Sequence, residues 1–180
     1  MDIIFVRHGK PNYDLADSRQ MGQLEKDYAP LDRDCIPFIK QQAQNSVFQD
    51  AELIVSSPYT RALQTAEILN RQLNLELFVE HDLREWLADL NGGYITLKER
   101  DRRWEEYRET VRSNSSIASS QYEAASSVRA RALSVLHRYS EYRKIVVVSH
   151  FNVLESIIGF QADGIECGCY LQFTLDHFHQ

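Results

Sequence analysis

The sequence predicts a three-layer α/β sandwich, in which a mostly parallel mixed sheet lies between helices on both faces. Three observations predict it. Short apolar runs of strand length recur along the chain, and segments of helical periodicity alternate with them. One run, Val146-Val147-Val148, is β-branched throughout, as a central strand covered on both faces would be. A chain of 180 residues suits a single domain spanning 1–180.

Residues 2–6 read as the first buried strand and residues 53–55 as the second. Ser57 then resembles a helix N-cap with Pro58 at the first helical position, and Ala62, Thr65, Ala66, Leu69 and Leu73 mark one helical face. Residues 75–79 read as a third buried strand. A helical excursion is expected at about 86–118. Its charged stretch 97–112 should be solvated, with Trp86, Tyr94 and Trp104 packing it onto the domain. The polar run SNSSIASS at 113–120 reads as a linker. Val128, Ala132, Val135, Leu136 and Tyr139 sit at helical spacing, and residues 144–148 form the fourth buried strand. In residues 170–175, Leu171, Phe173 and Leu175 alternate with Tyr170, Gln172 and Thr174, the pattern of an edge strand with one wetter face.

Composition limits the possible functions. Hydrophobic residues make up 43% of the chain and charged residues 26%, an ordinary globular balance. Twenty basic against 26 acidic residues give a net charge of −6, which argues against a nucleic-acid or membrane-surface partner. No stretch approaches a transmembrane span, and the apolar start ends at Arg7, so a cytoplasmic protein is expected. Cys35, Cys167 and Cys169 form neither an even framework nor a CxxC motif and read as reduced thiols. Cys167-x-Cys169 reads as core beside Leu171 and Phe173, and His177-x-His179 as a frayed end. His81 and His137 read as surface residues. No metal and no cofactor is expected.

In open α/β sheets, active sites form beyond the carboxyl ends of the strands. Arg7 and His8 follow the first strand, and Ser56, Ser57 and Arg61 follow the second. Glu85 comes shortly after the third, and Ser149-His150 directly after the fourth. Two histidines, two arginines and a carboxylate on one rim suit phosphoryl transfer. A phosphate monoester dianion repels a nucleophile until its oxygens are neutralised, which guanidinium groups do with bidentate geometry. Neutral imidazole is a good nucleophile near neutral pH, and a carboxylic acid can protonate the leaving alkoxide.

The segment Phe5-Val6-Arg7-His8-Gly9 resembles the signature of the histidine phosphatase superfamily, also called phosphoglycerate-mutase-like. Residues 56–66, SSPYTRALQTA, are similar to its second motif. Leu83-Arg84-Glu85 resembles the acid-bearing segment, and Val148-Ser149-His150 the final histidine. The resemblance implies the three-layer fold and His8 as a nucleophile that forms a phosphohistidine. It implies that Arg7, Arg61 and His150 bind the phosphoryl group and that Glu85 is the proton donor, although Glu80, Asp82 and Asp89 are neighbouring carboxylates. Asn12 and Ser149 are further candidates for substrate binding. The bland alternative for Arg61 is a pair with Glu67 on its own helix.

Two departures bear on activity. Phe151 stands where the family often has glycine, and Lys10-Pro11-Asn12-Tyr13 replaces the acidic residue and Trp-Asn pair typical of mutases. A metal-independent phosphatase acting on a small phosphorylated molecule is therefore the expected activity. A phosphoglycerate-type mutase and a protein-phosphohistidine phosphatase are the enzymatic alternatives. A phosphate-binding regulatory module with poor turnover is the non-enzymatic one. Specificity should depend on residues 10–24 and 86–117. The sequence sets no oligomeric state.

Overall fold

A computed structural model describes residues 1–115 and 119–175, and His177 and His179 lie outside them. The elements run β1 (Asp2–Arg7), α1 (Asp14–Ser18), α2 (Gln23–Asp27), α3 (Ile36–Gln42), β2 (Leu53–Ser56), α4 (Thr60–Leu73) and β3 (Glu76–Val79). They continue with α5 (Leu97–Arg112), α6 (Ala125–Arg138), β4 (Lys144–Ser149), α7 (Phe151–Ile158) and β5 (Tyr170–Thr174). The strands form one sheet in the order β3-β2-β4-β1-β5. Pairing is parallel throughout except for β5, which runs antiparallel to β1 along one edge.

Strand alternation divides the apolar residues into two cores. Ile3, Phe5, Leu53, Val55, Ile145 and Val147 face one side, with Val128, Ala132, Val135 and Leu136 of α6 and Val153 and Leu154 of α7. Ile4, Val6, Ile54, Val146 and Val148 face the other, against Ile39 of α3 and Ala62, Ala66 and Leu69 of α4. Both faces of the central strands are therefore dry, as the β-branched run predicts. Gln172 and Thr174 of β5 are exposed, in keeping with a wetter face.

Four local expectations are corrected. The run 75–79 was expected to be buried, but all four residues of β3 are exposed, because this strand is the other sheet edge and pairs only with β2. The fourth helix starts at Thr60, flanked by Tyr59, and Pro58 precedes it. Ser57 is not the N-cap, which falls at Tyr59; its hydroxyl accepts from the Tyr59 N–H at 3.3 Å and also bonds His150. Cys167 and Cys169 lie half-buried in the turn before β5 rather than within the strand.

The fourth correction concerns α5, which has a dry side. Its outer face carries the expected ladder, with Arg102 bridging Glu99 and Glu106, and Thr96 caps the helix by accepting from the Glu99 N–H. Its inner face buries Tyr107 completely and Arg103 against Asp89. Arg108 reaches across to Glu155 of α7 at 2.7 Å, and its guanidinium lies 4.5 Å from the Phe160 ring centre. Glu155 is fully buried and pairs with that guanidinium. Replacing Arg108 with Met should destabilise the protein by about 3 kcal/mol, read as a lower urea midpoint, since an unpaired buried charge is left behind.

Candidate active site

The carboxyl ends of β1, β2 and β4 lie side by side, and the residues that follow them converge. The His8 and His150 rings are 4.9 Å apart, edge to face. One ligating atom from each of His8, His150 and Glu85 falls within 4.8 Å of the others. Arg61 is 2% exposed, and its Nε donates to His8 Nε2 at 3.3 Å. Glu67 pairs with Arg71 instead, leaving Arg61 to the site.

Local structure holds each group in place. His8 Nδ1 is 2.7 Å from the Gly9 carbonyl, an arrangement that puts the ring hydrogen on Nδ1. Nε2 then keeps its lone pair, consistent with Arg61 donating to it. Thr65 accepts from the Gly9 N–H and donates to the Arg61 carbonyl, tying the loop after β1 to the first turns of α4. Gly9 is needed for a steric reason: a Cβ there would sit 2.6 Å from Ile39 Cδ1 and 2.9 Å from Cys35 Sγ. Gly9→Ala should cost roughly 1–3 kcal/mol of stability and lower kcat/KM as the loop moves, checked by urea titration beside steady-state assays.

Electrostatics favour neutral imidazoles. Burial first, and then the Arg61 cation, hold His8 well below its ordinary range. His150 is depressed in the same way, by burial and then by Arg61 and His8. Burial raises the Glu85 carboxyl above the usual carboxylate range, against the pull of Arg61 and Arg7. Arg7 donates to the Ile165 carbonyl at 2.6 Å, yet among the described residues its buried Nε lacks a hydrogen-bond partner, as does His150 Nδ1. Orphaned buried donors are costly, and an anion placed between them would satisfy both. His8, Glu85 and His150 also have the spacing of a metal site. Arg61, bonded to His8, sets a guanidinium charge beside that triplet, which opposes a metal ion there.

A cleft of about 300 Å³ is lined by Arg7, Arg61, Glu85, Asn152 and a ring of aromatic residues: Tyr13, Trp86, Trp104 and Phe151. Both segments expected to govern specificity contribute, through Tyr13, Asp17 and Gln23 on one side and Trp86, Arg100, Asp101 and Trp104 on the other. Trp86 and Trp104 therefore line the cleft as well as pack α5. Tyr94 is exposed, 5.9 Å from the Lys26 ammonium. Phe151, in place of a small residue, stands 5.6 Å from Arg7 and walls one side of the cleft.

Not every candidate converges. Asn12 is exposed, accepts from the Asp14 N–H and lines a separate cleft with Lys40 and Gln64, so it faces away from Arg7 and Arg61. Ser149 is buried and donates to the Leu83 carbonyl, anchoring the loop that carries Glu85 rather than lining the cleft. The rival carboxylates are engaged elsewhere: Glu80 with Arg138 and Tyr139, Asp82 with Arg84, and Asp89 with Arg103. Sequence reasoning set Ser57 on the rim as a helix cap, whereas its hydroxyl bonds His150 Nε2 at 2.8 Å; it missed Lys26 and Asn152. The position of Asn152, two residues after His150 in the first turn of α7, was the available signal.

Fold and site together define an α/β protein with paired imidazoles and guanidinium groups gathered at the carboxyl edge of its sheet. The chain belongs to the histidine phosphatase superfamily (branch 1), whose family model matches residues 3–176. Among solved structures it resembles a mycobacterial glucosyl-3-phosphoglycerate phosphatase in complex with inorganic phosphate, with 20% identity and a TM-score of 0.72 over 96% of this chain and 89% of that one. It is similar to Bacillus stearothermophilus YhfR, at 18% identity and a TM-score of 0.71 over 98% and 92% of the two chains. The alpha-ribazole phosphatase of Shigella flexneri matches at 18% identity and 0.65, again over 98% and 92%. None of the curated proteins matches the chain by sequence. Among the described residues, no helix is long and apolar enough to cross a membrane.

Proposed function

We propose that this protein is a metal-independent phosphatase that hydrolyses small phosphate monoesters through a phosphohistidine on His8. The observation that carries the reading is His8 Nε2, unprotonated and buried, facing Arg61 beside the orphaned donors of Arg7 and His150. With a monoester bound, Arg7 and Arg61 neutralise the phosphoryl oxygens and His150 donates a hydrogen bond to them. Nε2 forms the bond to phosphorus as the ester P–O bond breaks, and Glu85 passes its proton to the departing oxygen. Water then attacks the phosphohistidine, giving its proton to the Glu85 carboxylate, and inorganic phosphate leaves as the P–N bond breaks.

The cleft also bears on substrate. Beyond the phosphoryl pocket its remaining cations are paired, Lys26 with Asp17 at 3.0 Å and Arg100 with Asp101 at 2.7 Å. Among the described residues that line the cleft, no cation is left unpaired for a second phosphate or a carboxylate, which favours hydrolysis of a simple monoester over mutase chemistry. The test is hydrolysis of an aryl phosphate by purified protein in excess chelator. Turnover is expected to be unchanged by the chelator. Loss of activity restored by a divalent metal would overturn the mechanism, and tight phosphate binding without turnover would favour a regulatory module.

A further inference from the structure

Resting on Glu85 as the proton donor, we propose that Asn152 and Trp104 are positioning residues that dictate which carboxyl oxygen of Glu85 carries the proton. Glu85 Oε1 accepts two hydrogen bonds, from the Trp86 N–H at 2.8 Å and from Asn152 Nδ2 at 3.3 Å. The amide orientation is forced. Trp104 Nε1 can only donate, and it donates to Asn152 Oδ1 at 2.9 Å, so the Asn152 NH2 must face Glu85. Asn152 is itself buried.

With two N–H groups aimed at Oε1, a proton on that oxygen would meet donors rather than acceptors. The proton therefore sits on Oε2, the oxygen 3.7 Å from His150 Nδ1 and so on the phosphoryl side of the carboxyl group. In the first step Oε2–H breaks as the ester oxygen takes the proton, and the resulting carboxylate is held by the Oε1 donors. In the second step Oε2 recovers a proton from the attacking water. Trp104 belongs to α5, so this charged helix governs the acid through one amide.

Leaving-group dependence separates this role from a merely structural one. Expulsion of p-nitrophenolate needs little proton assistance, whereas an alkoxide needs it fully. Asn152→Leu should lower kcat/KM for benzyl phosphate by about 100-fold, and for p-nitrophenyl phosphate by less than about threefold. Its alkaline limb should move to higher pH, because a donor favouring the carboxylate is gone. Trp104→Phe frees the amide to turn its oxygen toward Glu85 and should show the same selectivity at about tenfold. It carries the test by itself if Asn152→Leu fails to fold.

Equal losses on both esters, or none on benzyl phosphate, would overturn the proposal. Glu85→Gln run in parallel keeps the two readings apart. If it too lacks leaving-group selectivity, Glu85 is not the acid and the mechanism above fails. If Glu85→Gln is selective while the Asn152 and Trp104 variants are not, only the positioning role fails.

Discussion

His8→Ala is expected to reduce phosphatase kcat by about 10⁴-fold or more while leaving phosphate binding measurable. The binding groups Arg7, Arg61 and His150 are supplied from three different strand ends, and Arg61 and His150 keep anchors besides their contacts with the His8 ring. Arg61 is held by its Lys26 carbonyl contact and by Tyr59, whose ring centre lies 5.0 Å away, and His150 by Ser57. Phosphate should therefore still raise the thermal midpoint of the variant. Calorimetry in graded phosphate, set beside turnover of an aryl ester, checks both halves. Residual activity within tenfold of the wild type would remove His8 from the nucleophile's role.

The second large effect is expected at Arg61. Arg61→Ala should lower kcat/KM on the order of 10³-fold, the scale seen when a guanidinium is withdrawn from a phosphoryl-transfer site. Its pH behaviour is distinctive. After burial, the Arg61 cation is the largest influence depressing both His8 and His150. Without it both imidazoles protonate more readily, so His8 loses its lone pair at a higher pH and the acid limb of kcat/KM moves upward. The wild type should show a bell, falling at low pH as His8 is protonated and at high pH as Glu85 ionises. Arg61→Lys should recover part of the acid-limb position but little of the rate, since an ammonium supplies charge without the bidentate fork.

Much of this site was legible in the sequence because the chemistry sits where strands end. Arg7-His8 and Ser149-His150 each follow an apolar run whose alternation fills two cores, so their placement follows from the sheet. Glu85 was legible only as one carboxylate among four, and what singles it out is tertiary: Glu80, Asp82 and Asp89 each have an arginine within an ion-pair distance. Asn12 was misplaced because its neighbourhood is a loop whose course no periodicity reports. Residues 76–79 look buried in sequence because Leu77, Phe78 and Val79 are apolar, yet helical cover stops short of that sheet edge. The dry side of α5 was hidden by charge. Arg103 and Arg108 find buried acidic partners that only the folded chain brings near, and Trp104 reaches Asn152 across 48 positions.

The most direct test is to mix the protein with a fast-turning aryl phosphate, quench in alkali, where phosphohistidine survives, and map the adduct by tandem mass spectrometry. A phosphoryl group on His8, formed and lost at rates that match turnover, is the expected result. Turnover with no adduct on His8, or an adduct on another side chain that forms fast enough to support turnover, would contradict a mechanism centred on that imidazole.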